Sequence, residues 1–316
     1  MLCLGELLID FICTDKGKSM IDSINFIKKP GGAPANVAVA INKMGAQSYF
    51  LGSVGKDPFG SFLRKTMEGY GVNCSMMSTL DYLSTTFAFV SLMENGERDF
   101  YFARGADIDY EVDLEWIAKE DVNLVHFGSA TAFLGGKLLD SYYLLLNFSI
   151  KNNKIISFDP NYRPMLLGSK KNIFIENCLK FIKHSHILKV SSEEAEIITG
   201  TSNMENAAQM LNKFGAKFVM VTLGSEGALL SENGQIKLVK SKPVTMLDAT
   251  GAGDAFIGCV LAQVANKYTS HSEICFDDLA NFVSIANIAG AMTVQKYGAL
   301  EAIPFWEDII NKEIKV

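Results

Sequence analysis

The sequence holds no C-x-x-C pair among its six cysteines, no run of basic residues and no apolar stretch of membrane-spanning length. Each absence removes a class of protein. Cysteines this far apart (Cys3, Cys13, Cys74, Cys178, Cys259 and Cys275), mostly in apolar surroundings, read as buried, reduced thiols. Four scattered histidines add no zinc-ligand spacing. With a net charge of −6 and no basic cluster, neither nucleic acid nor an anionic membrane is expected as a partner. The opening "MLCLGELLIDF" carries Glu6 and Asp10 and lacks a basic n-region, so it reads as a core strand and not a signal peptide. A cytoplasmic protein is expected. No G-x-x-x-x-G-K-[ST] loop occurs, and in "GAGDAF" Phe256 takes the last glycine position of a dinucleotide fingerprint. A P-loop NTPase and a nicotinamide dehydrogenase are both disfavoured on that ground.

What is present is alternation. At 316 residues and 48% hydrophobic, the chain can build one large α/β domain or two small ones. "LCLGELLIDF", "YFLGSVG", "NLVHFGS", "KIISFDP", "HILKVS" and "KFVMVTLG" are short apolar runs closed by Gly, Ser, Asp or Pro. Between them the pattern predicts helices from Pro34 to Met44, Pro58 to Tyr70, Lys137 to Lys151 and Met204 to Phe214. This implies a mainly parallel sheet, buried between two helical layers. Residues 11–30 and 85–105 break the rhythm by alternating polar with apolar, and "TTFAFVSLM-ENGERD-FYFARGAD" reads as a hairpin turning near Asn95-Gly96. Those two segments are expected to form a small sheet acting as a lid, or simply a structural hairpin. The remaining residues, 1–10, 31–84 and 106–316, make the main α/β domain.

In "DATGAGDAF", Gly251, Ala252 and Gly253 precede Asp254 at a helix start. Unpaired amides there and the helix dipole bind anions, and the glycines let a ligand approach. A carboxylate at Asp254 is poorly suited to holding phosphate but well suited to taking a proton from an attacking hydroxyl. Taken alone, the same pattern also fits an acid that merely favours the helix dipole. In "KKPGGAPANVAVAINKMG", Gly31 and Gly32 make a close-approach turn and Asn36 offers donor and acceptor in the first helical turn. Asp10 falls where the carboxyl edge of an α/β sheet binds ligands, and its two oxygens suit neighbouring sugar hydroxyls.

Together these stretches resemble the PfkB-type, or ribokinase-like, sugar kinase family. "GGAPANVAVAINKMG" is similar to its N-terminal signature and "DATGAGDAFIGCVLA" to its C-terminal one, with "SVGKDPFG", "KVSSEEAEIITG", "VTLGSEGA" and "ANIAGAMT" in order between or after. "GELLIDF" and "DPNYRP" look most like the fructokinase branch. The resemblance implies a three-layer α/β/α sandwich with a mainly parallel central sheet and a small β-sheet lid. It implies Asp254 as catalytic base, Gly251, Ala252 and Gly253 as the anion hole, and Arg163 reaching the transferring phosphate. Asp10, Gly31, Gly32, Asn36, Arg98, Phe102, Arg104 and Asn161 are implied on the sugar side. Thr222, Gly224, Gly227 and Asn287 would line the nucleotide, while Asp248 and Thr250 fall where relatives bind a monovalent cation such as K⁺.

One departure stands out: the family's N-x-x-E appears here with Ser191 in the asparagine position and Glu194 as the acid. Serine still hydrogen-bonds a metal-bound water, so a Mg²⁺ role for Ser191 and Glu194 is implied, although Glu194 by itself reads as a first-turn helix charge. The reading is an ATP-dependent sugar kinase making fructose 6-phosphate from fructose, possible as a homodimer through the lid. The rivals are a riboside, nucleoside or 2-keto-3-deoxygluconate kinase of the same family, and a non-catalytic sugar or nucleotide sensor.

Overall fold

The computed structural model of the chain describes residues 1–15, 17–92 and 98–313. The strands among them are β1 (Leu2–Leu4), β2 (Leu8–Cys13), β3 (Phe26–Gly31), β4 (Tyr49–Gly55), β5 (Met77–Leu80), β6 (Phe87–Leu92) and β7 (Arg98–Ala103). Then come β8 (Leu124–Gly128), β9 (Ile155–Asp159), β10 (Ile187–Ser191), β11 (Phe218–Thr222), β12 (Gly227–Glu232) and β13 (Gln235–Lys240). The α-helices are α1 (Ala33–Lys43), α2 (Pro58–Gly69), α3 (Leu114–Ile117), α4 (Lys137–Lys151), α5 (Pro164–Leu167) and α6 (Lys171–Ile182). The rest are α7 (Ser192–Thr199), α8 (Met204–Lys213), α9 (Ala252–Lys267), α10 (Phe276–Thr293) and α11 (Trp306–Glu313).

The large sheet runs β13-β12-β11-β10-β9-β8-β1-β4-β5. Its pairs are parallel from β11 through β5, and β12 pairs antiparallel with both β11 and β13. Because successive side chains alternate faces, Cys3 packs into one core with α1, α2, α9 and α10, while Leu2 and Leu4 pack into the other with α4, α6, α7 and α8. The continuous apolar runs follow from this double burial.

The second sheet is ordered β3-β2-β6-β7: two antiparallel pairs joined by a parallel β2–β6 contact. The Asn95-Gly96 turn lies outside the described residues, but the flanking strands pair from Phe87↔Ala103 to Leu92↔Arg98. Phe59 of α2 meets Phe11 and Phe87 at ring separations of 5.9 and 5.1 Å, anchoring this sheet to the main body.

One expectation is corrected. "LCLGELLIDF" reads as a single strand, yet it supplies β1 to the large sheet and β2 to the small one. At Gly5 the chain passes so close to α1 that a Cβ would meet Pro34 and, at 2.8 Å, the Tyr142 hydroxyl. Glu6 then turns inward to accept the Ala33 amide at the start of α1, 3.1 Å away. Both halves of the run are largely buried, so apolar character alone does not reveal the break.

Candidate active site

Helix α9 begins at Gly251, whose φ of 79° is left-handed and leaves the following amides at the helix mouth. The Ala252 amide turns back to the Ala249 carbonyl at 3.3 Å. Asp254, two residues into the helix and buried, accepts a hydrogen bond from Asn36 Nδ2 at 2.8 Å. That bond joins the first turns of α1 and α9, the helices carrying the two sequence signatures. The helices approach closely enough for it because Gly258 of α9 lies directly on Ala40 of α1, where a Cβ would collide. Burial pushes the Asp254 carboxyl up to about 6; the neighbouring Asp159 adds to the rise, while the Asn36 bond, Lys189 and Arg163 oppose it.

Asp10 sits on β2, not at the end of β1, opposite Lys29 on β3 and Ala88 on β6. Ala88 in turn faces Phe102 on β7, so Asp10 and Phe102 share one face of the small sheet. Gly31 has no Cβ because one would overlap the Asp10 carboxylate, and Gly32, at φ 109°, clears the Glu6 backbone. Burial raises the Asp10 carboxyl to about 6 against the pull of Arg163. Arg163, exposed at the start of α5, also depresses Glu6 and Asp254, so one guanidinium bears on all three acids.

Buried polar atoms without a protein partner need another one, such as a ligand or a water. Among the described residues these are Asn36 Oδ1, Arg104 Nη2, His126 Nε2 and Asn161 Nδ2. Three of the four belong to residues assigned to the sugar from sequence. Arg104 is oriented by Asp107 at 3.1 Å, and Asn161 is held at φ 49° with its amide on Asp159. The side chain of Arg98 lies outside the described residues.

The residues assigned to the nucleotide and to the monovalent cation make these contacts within the fold. Asn287 Nδ2 donates to the Val239 carbonyl at 2.8 Å, tying α10 to β13. Thr222 reaches the Val190 carbonyl at 3.4 Å, and Gly224 opens the turn after β11 at φ 60°. Gly227 begins β12 where a Cβ would strike the Val239 carbonyl. Asp248 accepts from Thr250 Oγ1 at 2.6 Å and from the Gly298 amide at 2.9 Å, next to the α9 mouth.

Ser191 and Glu194 form a capping box on α7: Ser191 Oγ accepts the Glu194 amide, and Glu194 Oε2 accepts the Ser191 amide at 2.7 Å. Glu194 Oε1 accepts the Tyr162 amide, also at 2.7 Å. No group of three acidic, His or Cys side chains suited to a metal occurs among the described residues. This donor set fits a Mg²⁺ carried on nucleotide phosphates and met through water, and does not fit a resident ion caged by protein.

Sequence reasoning passed over Glu6, Asp159 and Lys189. Lys189 Nζ pairs with Asp159 Oδ2 at 2.8 Å, both buried, behind the α9 mouth. The signal was a charge inside "HILKVS" and "KIISFDP", strands otherwise apolar on both faces. Burial, aided by Asp107, pushes the Glu6 carboxyl up to about 8, while its backbone hydrogen bonds and Arg163 oppose the rise.

Residues 1–306 match the family model described as pfkB family carbohydrate kinase. A probable chloroplastic fructokinase-6 of Arabidopsis thaliana is 34% identical over 322 aligned positions, covering 100% of this chain and 82% of the relative. The ATP-bound fructokinase of Xylella fastidiosa superposes with a TM-score of 0.86 at 26% identity, over 100% of this chain and 99% of that one. A fructokinase double mutant of Vibrio cholerae O395, solved with fructose, ADP and potassium, gives 0.85 at 28% identity, over 98% and 96% of the two chains. The large and small sheets together are thus the ribokinase-like α/β fold of these enzymes, and with both sequence signatures meeting at Asp254 the chain belongs to the pfkB family of carbohydrate kinases.

Proposed function

We propose that this chain transfers the γ-phosphate of ATP to fructose, giving fructose 6-phosphate and ADP. The observation that carries it is the buried Asp254 carboxylate, bound by Asn36 at the start of α9, with Asn36 Oδ1 left without a protein partner. The fructokinase identity of the similar proteins favours fructose, and two of them were solved with adenine nucleotides.

Phosphoryl transfer asks mainly for positioning and charge stabilisation. Asp10 accepts two sugar hydroxyls, and Asn36 Oδ1, Asn161 Nδ2 and Arg104 Nη2 complete the cradle. The 6-hydroxyl, placed at Asp254, gives up its proton to that carboxylate as its oxygen attacks the γ-phosphorus. The bond to the bridging oxygen breaks, and the amides of α9 with Arg163 stabilise the charge on the phosphoryl oxygens. Mg²⁺, when bound with ATP, would supply charge neutralisation for the phosphates, met through water by Ser191 and Glu194. Asp248 and Thr250 would hold a monovalent cation beside this mouth, as the Vibrio protein was solved with potassium. The segments 11–30 and 85–105 act as a lid that excludes water, the competing acceptor. We take the site of action to be the cytoplasm, with the free cysteines as support. No helix among the described residues is long and apolar enough to cross a membrane.

The test is ADP release over a panel of hexoses, pentoses, nucleosides and 2-keto-3-deoxygluconate, with and without K⁺. Fructose should give the highest kcat/KM. A clear preference for another acceptor overturns the substrate, and no turnover with any acceptor makes the chain a sensor.

A further inference from the structure

Lys189 is a buried ammonium with more donors than partners. It carries three N–H bonds, and among the described residues its hydrogen-bond acceptor is Asp159. Its charge is paired with the Asp159 carboxylate at 2.8 Å, in a place where an unmatched charge is costly.

Its position is specific. Ile187 and Lys189 project from the same face of β10, and Lys189 reaches the first turn of α9. A Cβ on Gly253 would lie 2.9 Å from Lys189 Nζ and 3.5 Å from its Cε. Gly253 shows no left-handed φ, so backbone conformation is not what demands glycine there. The missing side chain leaves open the short path between the ammonium and the helix mouth. Asp159 also receives the Asn161 amide at 3.2 Å, so the carboxylate that holds Lys189 is itself held by a residue of the sugar cradle.

We propose that Lys189 is part of the anion hole: through the gap at Gly253 its free N–H groups donate to the oxygens of the transferring phosphoryl group, with Asp159 as the residue that orients it. The inference rests on the kinase reading above. In the transition state the charge of the transferring group is spread over its equatorial oxygens while the leaving oxygen gains charge, so a fixed ammonium there stabilises it.

Lys189→Met preserves length and removes the charge. Its kcat should fall about 10²–10³-fold, while the Kd for ADP, which lacks the transferred group, holds within about 2-fold. Because Lys189→Met strands the Asp159 carboxylate, Lys189→Met/Asp159→Asn is the companion: it should recover the melting temperature without recovering kcat. Turnover restored to within about 3-fold of wild type in either variant would reduce the pair to a structural one and overturn the proposal. A crystal structure of the unaltered chain with fructose, ADP and aluminium fluoride decides independently of folding. Nζ within hydrogen-bond reach of a fluoride supports the assignment, and Nζ beyond it overturns it. Failure of the unaltered enzyme to phosphorylate any sugar would count against the kinase reading itself, a result separable from these.

Discussion

Asp254, buried at the start of α9, accepts a hydrogen bond from the Asn36 side-chain amide at 2.8 Å. Replacing it with Asn keeps the shape and the bond from Asn36 but removes the acceptor for the proton. We expect Asp254→Asn to lower kcat by about 10²–10⁴-fold with sugar KM little changed. The stability effect has the opposite sign to that of a structural acid. Folding raises this carboxyl from its ordinary value to about 6, so the native state binds the proton more tightly. Its contribution to stability is therefore most favourable at acid pH and declines as pH rises through about 6. At neutral pH the neutral amide removes that burden, and the melting temperature should hold or rise; a marked fall would make Asp254 structural. The same shift sets the activity profile. Asp254 and Asp10 both titrate near 6, so kcat/KM should drop below that pH, more steeply than one proton requires. A profile flat to about pH 5 would contradict a carboxylate base.

The two signature helices matter as a pair. Ala40 and Gly258 are the contact that lets α1 and α9 approach until Asn36 reaches Asp254. Gly258→Ala should push them apart, at the cost of about 1–3 kcal/mol typical of overpacking, and should lower kcat with the melting temperature. Adding Ala40→Gly should restore part of both. Loss of stability with unchanged turnover per folded molecule would show that the crossing does not govern the site. The ends of α1 and α2 were readable because Pro34 and Pro58 start them and small or turn residues stop them. Ser191 and Glu194 illustrate the limit: S-x-x-E before an apolar helix is equally a capping box, and that is the geometry they adopt.

At the scale of the molecule, the face of the small sheet that bears Asp10 continues outward with Ile12, opposite Ile27 and Val90. Ile12 and Ile27 are 40% and 50% exposed, and Ile21 and Ile24 of the connecting segment 94% and 80%. An apolar surface rimming a sugar site is the kind that a second copy covers, and we propose a homodimer formed through it. Light scattering should give twice the chain mass, and Ile27→Asp should return it to the monomer with a raised KM for sugar. A monomeric parent chain would sink the idea.

The alternation of apolar runs and helical patterns was enough to specify a parallel sheet between helices, because strands buried on both faces need continuous hydrophobic sequence. Glycine-rich helix starts likewise raised the expectation of an anion there, since backbone amides at a helix mouth bind anions whatever the fold around them. The sequence alone could not show that β2 leaves the sheet β1 belongs to, as burial looks the same in either. Nor could it pair Lys189 with Asp159, 30 residues away, or set both behind Gly253. Those relations depend on which strands become neighbours and how closely helices cross, and the tertiary structure decides them because desolvation and charge act across space and not along the chain.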